Sequence, residues 1–164
     1  MKILFLDMDG VLNSHAYMVK RKRADPNHEL RPWDRNDPRC WAEMVDPEAV
    51  MRLNQILDRA GAKVVISSSW RYAHHYTVMQ RILDIAGFTG EVIDETPNEL
   101  HAPARAHEIS AWLQANPGTK RFVILDDGSS AGKGFEKWFV HTDLAVGLTD
   151  DDVKKAIQIL GRSP

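Results

Sequence analysis

Three short stretches of this sequence contain only apolar residues, and each runs directly into polar ones. Ile3-Leu4-Phe5-Leu6 leads to Asp7 and Asp9, Val64-Val65-Ile66 leads to Ser67-Ser68-Ser69, and Phe122-Val123-Ile124-Leu125 leads to Asp126-Asp127. Runs this short, unbroken by polar residues, fit strands covered on both faces, as in a parallel sheet. Helical signals lie between them. Asp46-Pro47-Glu48 supplies an N-cap, a first-position proline and a first-turn acid. Val50, Leu53, Ile56 and Leu57 then form one apolar stripe, which Gly61 stops. The pattern predicts further helices over residues 72–86, 103–115 and 149–160, and short strands at 91–93 and 139–140. Strands that alternate with helices imply an α/β sandwich with a mostly parallel central sheet.

A chain of 164 residues fits one domain, 1–164, around a single core. No apolar run approaches the roughly 20 residues of a membrane span, and the apolar start is too short for a secretion signal. The single cysteine, Cys40, has no internal partner, so a reducing cytoplasm is the expected compartment. Nothing points to an obligate protein partner. Residues 13–46 show neither helical nor strand period and hold Pro26, Pro32 and Pro38. They read as a loop-rich, cap-like insert, too long for a plain connection. The net charge of −2 argues against a general nucleic-acid binder, yet Lys20 to Arg39 holds seven Lys or Arg against four Asp or Glu. Lys20-Arg21-Lys22-Arg23, with Arg31, Arg35 and Arg39, fits two roles equally: tracking a nucleic-acid backbone or forming a solvated cap surface. Trp33 and Trp41 likewise fit packing against the body or stacking on a base.

In open α/β sheets, ligands bind beyond the carboxyl ends of the strands. The three apolar runs all deliver polar residues there. Carboxylates gathered from separate strands repel unless a cation sits among them, and an all-oxygen cluster suits Mg²⁺ together with a phosphorylated substrate. Asp7 then suits attack on phosphorus as a carboxylate nucleophile. Asp9 suits protonation of the leaving oxygen and later activation of water. A serine hydroxyl and a basic side chain would hold the equatorial phosphoryl oxygens.

These residues carry a resemblance. Asp7-Met8-Asp9-Gly10-Val11-Leu12 resembles the first motif of the haloacid dehalogenase-like (HAD) superfamily. Ser67 after Val64-Val65-Ile66 resembles the second, and Asp126-Asp127 after Val123-Ile124-Leu125 the fourth. Ile66 to Arg71, Arg105 with Glu108-Ile109 and Trp112-Leu113, and Thr142-Asp143 with Gly147-Leu148-Thr149 resemble a narrower branch. That branch is the HAD domain of Swiss-army-knife RNA repair proteins, related in role to polynucleotide 3'-phosphatases. The resemblance implies an HAD-like (Rossmannoid) three-layer sandwich and a phosphatase working through an aspartyl-phosphate. It implies Mg²⁺ held by Asp7, the Asp9 main-chain carbonyl and a carboxylate of Asp126 or Asp127, with Asp126 the favoured ligand. The catalytic set is then Asp7, Asp9, Ser67 and Arg105, with Gly10, Ser68 and Arg71 at the substrate. Arg105 is chosen as the third-motif cation because it lies one turn before Ile109, near the helix start. A surface pair with Glu108 is its alternative, as a helix-start surface position is for Arg71. Dehalogenase members lack the second acid and ATPase members tend to carry Thr there, so Asp9 points to phosphatase or phosphotransferase chemistry.

Other motifs fail on spacing. Val11 stands where an EF-hand needs its fifth-position ligand, and Gly10 comes too early. Gly128 to Gly134 lacks the spacing and the Ser or Thr of a phosphate-binding Walker loop. His74, His75, His101 and His107 have no zinc spacing. The leading expectation is therefore a phosphomonoesterase acting on a nucleotide or polynucleotide 3'-phosphate end in nucleic-acid repair. The alternatives are a small-metabolite phosphatase and, outside enzymes, an HAD-fold binding module.

Overall fold

The computed structural model describes residues 1–27, 33–98 and 105–161; Arg31, His101 and Pro103 lie outside the described residues. Strands β1 (Lys2–Leu6), β2 (Lys63–Ile66), β3 (Val92–Glu95), β4 (Arg121–Asp126) and β5 (Phe139–His141) form one parallel sheet in the order β3-β2-β1-β4-β5. The three apolar runs are its three central strands. They need apolar residues at every position because both their faces are covered.

The pleat divides β1 between two cores. Leu4 and Leu6 join Val64, Ile66, Val123 and Leu125 on one face, where helices α3 (Pro47–Ala60), α4 (Tyr76–Ile85) and α6 (Asp150–Gly161) close the layer. Ile3 and Phe5 join Val65 and Ile124 on the other, under Ile109 and Trp112 of α5 (Arg105–Ala115). Phe5 meets the Trp112 ring edge-on at 5.4 Å. Each such buried side chain contributes about 1.5–3 kcal/mol, against about 1 kcal/mol for a helix cap, so packing rather than capping holds the layers. Capping sets where the helices begin and end. The Asp46 carboxylate accepts the Glu48 amide, Pro47 opens α3, and Gly61 ends it at φ 64°. In α6 the Thr149 hydroxyl accepts the Asp152 amide at 3.3 Å while the Asp152 carboxylate accepts the Thr149 amide at 3.1 Å, a reciprocal box.

The insert differs from its loop-rich reading. It carries α1 (His15–Ala24) and the short α2 (Pro38–Ala42). None of the α1 residues is buried, so α1 has no apolar stripe and leaves no period in the sequence. Its supports are polar. The Ser14 hydroxyl accepts the Tyr17 amide, and the His15 and Ala16 amides donate to the carbonyls of Leu144 and Ala145. Three basic residues in its last turn face the negative end of the helix dipole. The helix expected from residue 72 also starts later. Residues Ser69–Tyr72 form a 3₁₀ turn capped by Ser68, and α4 begins at Tyr76 behind a His75 cap. Buried contacts of Trp70 and Arg71, described next, hold that turn apart from α4.

Candidate active site

The chain runs from β1 to β2 and β3 on one side of the sheet and fills β4 and β5 on the other. The crevice at the carboxyl ends of β1 and β4 is therefore the point where strand order reverses. The strand ends there are tied to one another: the Asp7 amide donates to the Leu125 carbonyl at 3.0 Å and the Ser67 amide to the Leu6 carbonyl at 2.8 Å. Asp7 and Asp126 are both buried at this edge. A tight turn follows Asp7, with the Leu12 and Asn13 amides donating to the Met8 carbonyl and the Gly10 amide to the Asn13 carbonyl. Gly10 sits at φ 70°, and a Cβ there would meet the Asp127 side chain at 2.5 Å. Only glycine lets the first loop and the end of β4 approach this closely.

The result is a cluster of carboxylates. Asp7, Asp126 and Asp127 each offer an oxygen, and these oxygens lie within 4.8 Å of one another. Asp126 Oδ1 accepts the Gly128 amide at 2.7 Å. Its buried Oδ2 accepts no hydrogen bond. Three convergent carboxylates fit a hard divalent cation such as Mg²⁺. The Asp9 side chain is not in this group. Its Oδ1 accepts from Asn13 Nδ2 at 2.9 Å and its Oδ2 from Trp70 Nε1 at 3.0 Å.

Arg105, at the start of α5, reaches the same edge. Its Nη1 donates to Asp7 Oδ1 at 3.3 Å and to the Ser67 carbonyl, and its Nε lies 3.3 Å from Asp126 Oδ2. It does not pair with Glu108. The buried Ser67 hydroxyl has no hydrogen-bond partner, so it remains a donor at the end of β2. Ser68 is buried beside it, and its side chain draws the Asp7 carboxyl down against the effect of burial. Ser67, Ser68, Gly10 and Arg105 thus stand with the carboxylates.

Arg71 does not face the open edge as a substrate ligand would, nor does it lie on the surface. Its side chain is 1% exposed and its Nη2 lies 2.5 Å from Glu108 Oε2 on α5. Its Nη1 donates to the Ser68 carbonyl at 2.6 Å. A buried guanidinium needs a carboxylate nearby, and Glu108 meets that need from another element. Arg71 and Glu108 therefore join the loop after β2 to the helix that carries Arg105. Glu108, which the sequence offered as a partner for Arg105, pairs instead with Arg71, and Asn13 and Trp70 are site neighbours to which sequence reasoning gave no role. Spacing offered no signal for these two, since a lone Asn or Trp reads as turn or core material.

Burial pushes the Asp7 carboxyl up from its ordinary value, with Arg105, Ser68 and the Met8 amide opposing. Asp126 is pushed up to about 7, first by burial and then by the Asp7 charge, against the pull of Arg105. Both carboxyls thus bind a proton more tightly folded than unfolded. That contribution to stability is present below the ordinary value of 3.8 and is lost as pH rises through about 7. In protein stripped of divalent cations, the melting temperature is expected to fall between about pH 5 and about pH 7.5, and added Mg²⁺ to restore it. Melts in chelator at the two pH values check this; a rise instead of a fall contradicts it.

A cleft of about 550 Å³ lies apart from these residues, between α1 and the start of α3, lined by Tyr17, Lys20, Arg21, Glu43, Asp46 and Glu48. Its basic residues are paired, Lys20 with Glu48 at 2.7 Å and Arg21 with Glu43 at 2.6 Å. Among the described residues, no helix is long and apolar enough to cross a membrane.

Searches of curated proteins and of solved structures find no match to the chain. The model of one family, described as the HAD domain in Swiss Army Knife RNA repair proteins, matches residues 3–153. That span takes in every element from β1 to the first turn of α6, and with it each strand end that builds the carboxylate cluster. The chain belongs to this family, and that membership supports an HAD phosphatase-type function.

Proposed function

We propose that this protein is a Mg²⁺-dependent phosphomonoesterase that works through an aspartyl-phosphate on Asp7 and removes a 3'-phosphate from a polynucleotide end. One observation carries the chemistry: Asp7, Asp126 and Asp127 converge within 4.8 Å, beside Arg105 and the unpartnered Ser67 hydroxyl. Asp7, Asp126 or Asp127, and the Asp9 main-chain carbonyl would hold the cation. Bound there, it would neutralise the carboxylates and polarise a phosphoryl oxygen.

The remaining work belongs to side chains. An Asp7 oxygen attacks phosphorus and the bond to the leaving oxygen breaks, with Asp9 donating its proton to that oxygen. Water then attacks the phosphoryl group, Asp9 takes the water's proton, and the Asp7–phosphorus bond breaks to release inorganic phosphate. Arg105 and Ser67 donate to the equatorial oxygens, where charge concentrates in the transition state.

Two features support a polynucleotide end as substrate: the family's association with RNA repair proteins and the run of basic residues from Lys20 to Arg39. A small-metabolite substrate is the second reading, and a specific observation favours it. Lys20, Arg21 and Arg39 are already paired with Glu48, Glu43 and Asp37, which reduces the free positive charge. The single Cys40 supports a reducing compartment such as the cytoplasm.

One experiment tests both parts. Phosphate release is measured from 3'- and 5'-phosphorylated oligonucleotides, mononucleotides and sugar phosphates, with Mg²⁺ and after chelation. Chelation is expected to stop every reaction and Mg²⁺ to restore it; a metal-indifferent enzyme contradicts the site. The 3'-phosphorylated oligonucleotide is expected to turn over fastest and to lose apparent affinity steeply between about 50 and about 200 mM salt. Preference for a sugar phosphate, with little salt response, overturns the polymer reading.

A further inference from the structure

Asp9 departs from the other acids in how it is held. Asp7 and Asp126 both contact Arg105, whereas the Asp9 carboxylate takes one hydrogen bond on each oxygen from an uncharged side chain, Asn13 at 2.9 Å and Trp70 at 3.0 Å. An unrestrained aspartate side chain turns about two torsions. Bonds on both oxygens at once leave it a single orientation. The two donors come from different places: Asn13 from the turn after β1, Trp70 from the 3₁₀ turn after β2.

Trp70 is itself held on several sides. It is buried, and its own amide donates to the Ser68 hydroxyl at 3.4 Å. The Trp41 ring, on α2 of the insert, meets it edge-on at 4.9 Å. Trp41 in turn packs on His74 at 4.5 Å and donates its Nε1 to the Arg35 carbonyl at 2.9 Å. A buried indole N–H requires an acceptor, and here the acceptor is the carboxylate that the reaction needs aimed at the leaving oxygen.

We propose that Trp70 and Asn13 are positioning residues that aim Asp9 at the leaving-group oxygen, with Trp41 of the insert bracing Trp70 from behind. The inference rests on the reading of Asp9 as the proton donor. Misaiming a proton donor damages one kind of substrate more than another. A nitrophenolate departs without a proton, whereas an alkoxide needs one as its bond to phosphorus breaks. Loss of aim therefore shows as a change in leaving-group preference, which a general loss of structure does not produce.

The test uses the full chain with saturating Mg²⁺ and two substrates, p-nitrophenyl phosphate and a simple alkyl phosphate. Trp70→Phe keeps the aromatic bulk and removes the N–H; Asn13→Ala removes the other donor. Each is expected to lower the alkyl-to-aryl ratio of kcat by about tenfold, a fraction of the effect of a whole acid–base group, with KM within about twofold of wild type. Should Trp70→Phe fail to fold, Asn13→Ala reads the same ratio without touching the indole packing. A wild-type ratio in the folded variants overturns the inference. Asp9→Asn separates the two ideas. If it leaves the ratio at the wild-type value, the proton-donor reading of Asp9 falls. If it lowers the ratio while Trp70→Phe and Asn13→Ala do not, the positioning role alone falls.

Discussion

Asp7→Asn is expected to lower phosphate release from an aryl phosphate by on the order of 10⁴-fold or more, while the folded protein becomes more stable. The amide has nearly the same shape, so the Met8 amide keeps an acceptor at the Oδ1 position, 2.8 Å away. It cannot serve as a nucleophile, because its oxygen carries no charge and its phosphorylated form is not a stable intermediate. Stability moves the other way because Asp7 is a buried carboxylate beside Asp126 and Asp127. Removing one of three crowded acids relieves repulsion in the cation-free protein. The two measurements are turnover with Mg²⁺ and a thermal melt in chelator at about pH 7.5, where the expected gain is a few degrees. Turnover above about one hundredth of wild type sinks the nucleophile assignment. A melt that drops shows instead that the Asp7–Arg105 pair outweighs the repulsion.

Arg105→Ala is expected to cost about 10²- to 10³-fold in kcat, the size seen when one preorganised transition-state donor is removed. Arg105 contacts Asp7, Asp126 and the Ser67 carbonyl at once. It can therefore hold the nucleophile and still present N–H groups to a phosphoryl oxygen. Arg105→Lys supplies the charge but only a point of contact, so it should recover part of the loss and not all of it. Steady-state kinetics of both variants at saturating Mg²⁺ decide the matter. If Arg105→Ala stays within about threefold of wild type, the guanidinium neutralises the carboxylates without taking part in the reaction.

The central sheet was legible in the sequence for a simple reason. β1, β2 and β4 are covered on both faces, so their runs are apolar without interruption. The carboxylates were legible because Asp7, Asp9, Asp126 and Asp127 sit at or just beyond those runs, where strand ends place them at one edge. α3 was legible down to its cap, its proline and its closing glycine, since each is a local signal. α1 was not, because a helix with no fully buried residue leaves no apolar period. The 3₁₀ turn at Ser69–Tyr72 was hidden for another reason: distant partners of Trp70 and Arg71 shape it, and they leave no local signal.

By itself, then, the chain's order of residues determined the α/β layering, the central strands and the acids that meet at their ends, because those depend on burial and on neighbours a few residues away. Only the tertiary structure decided which side chains serve those acids. Arg105 reaches Asp7 across 98 positions and Trp70 reaches Asp9 across 61. Arg71 turned inward because Glu108 waits on another helix. Contacts at such separations depend on how the layers dock, and a hydrogen bond of about 3 Å is set by side-chain positions that spacing along the chain does not encode.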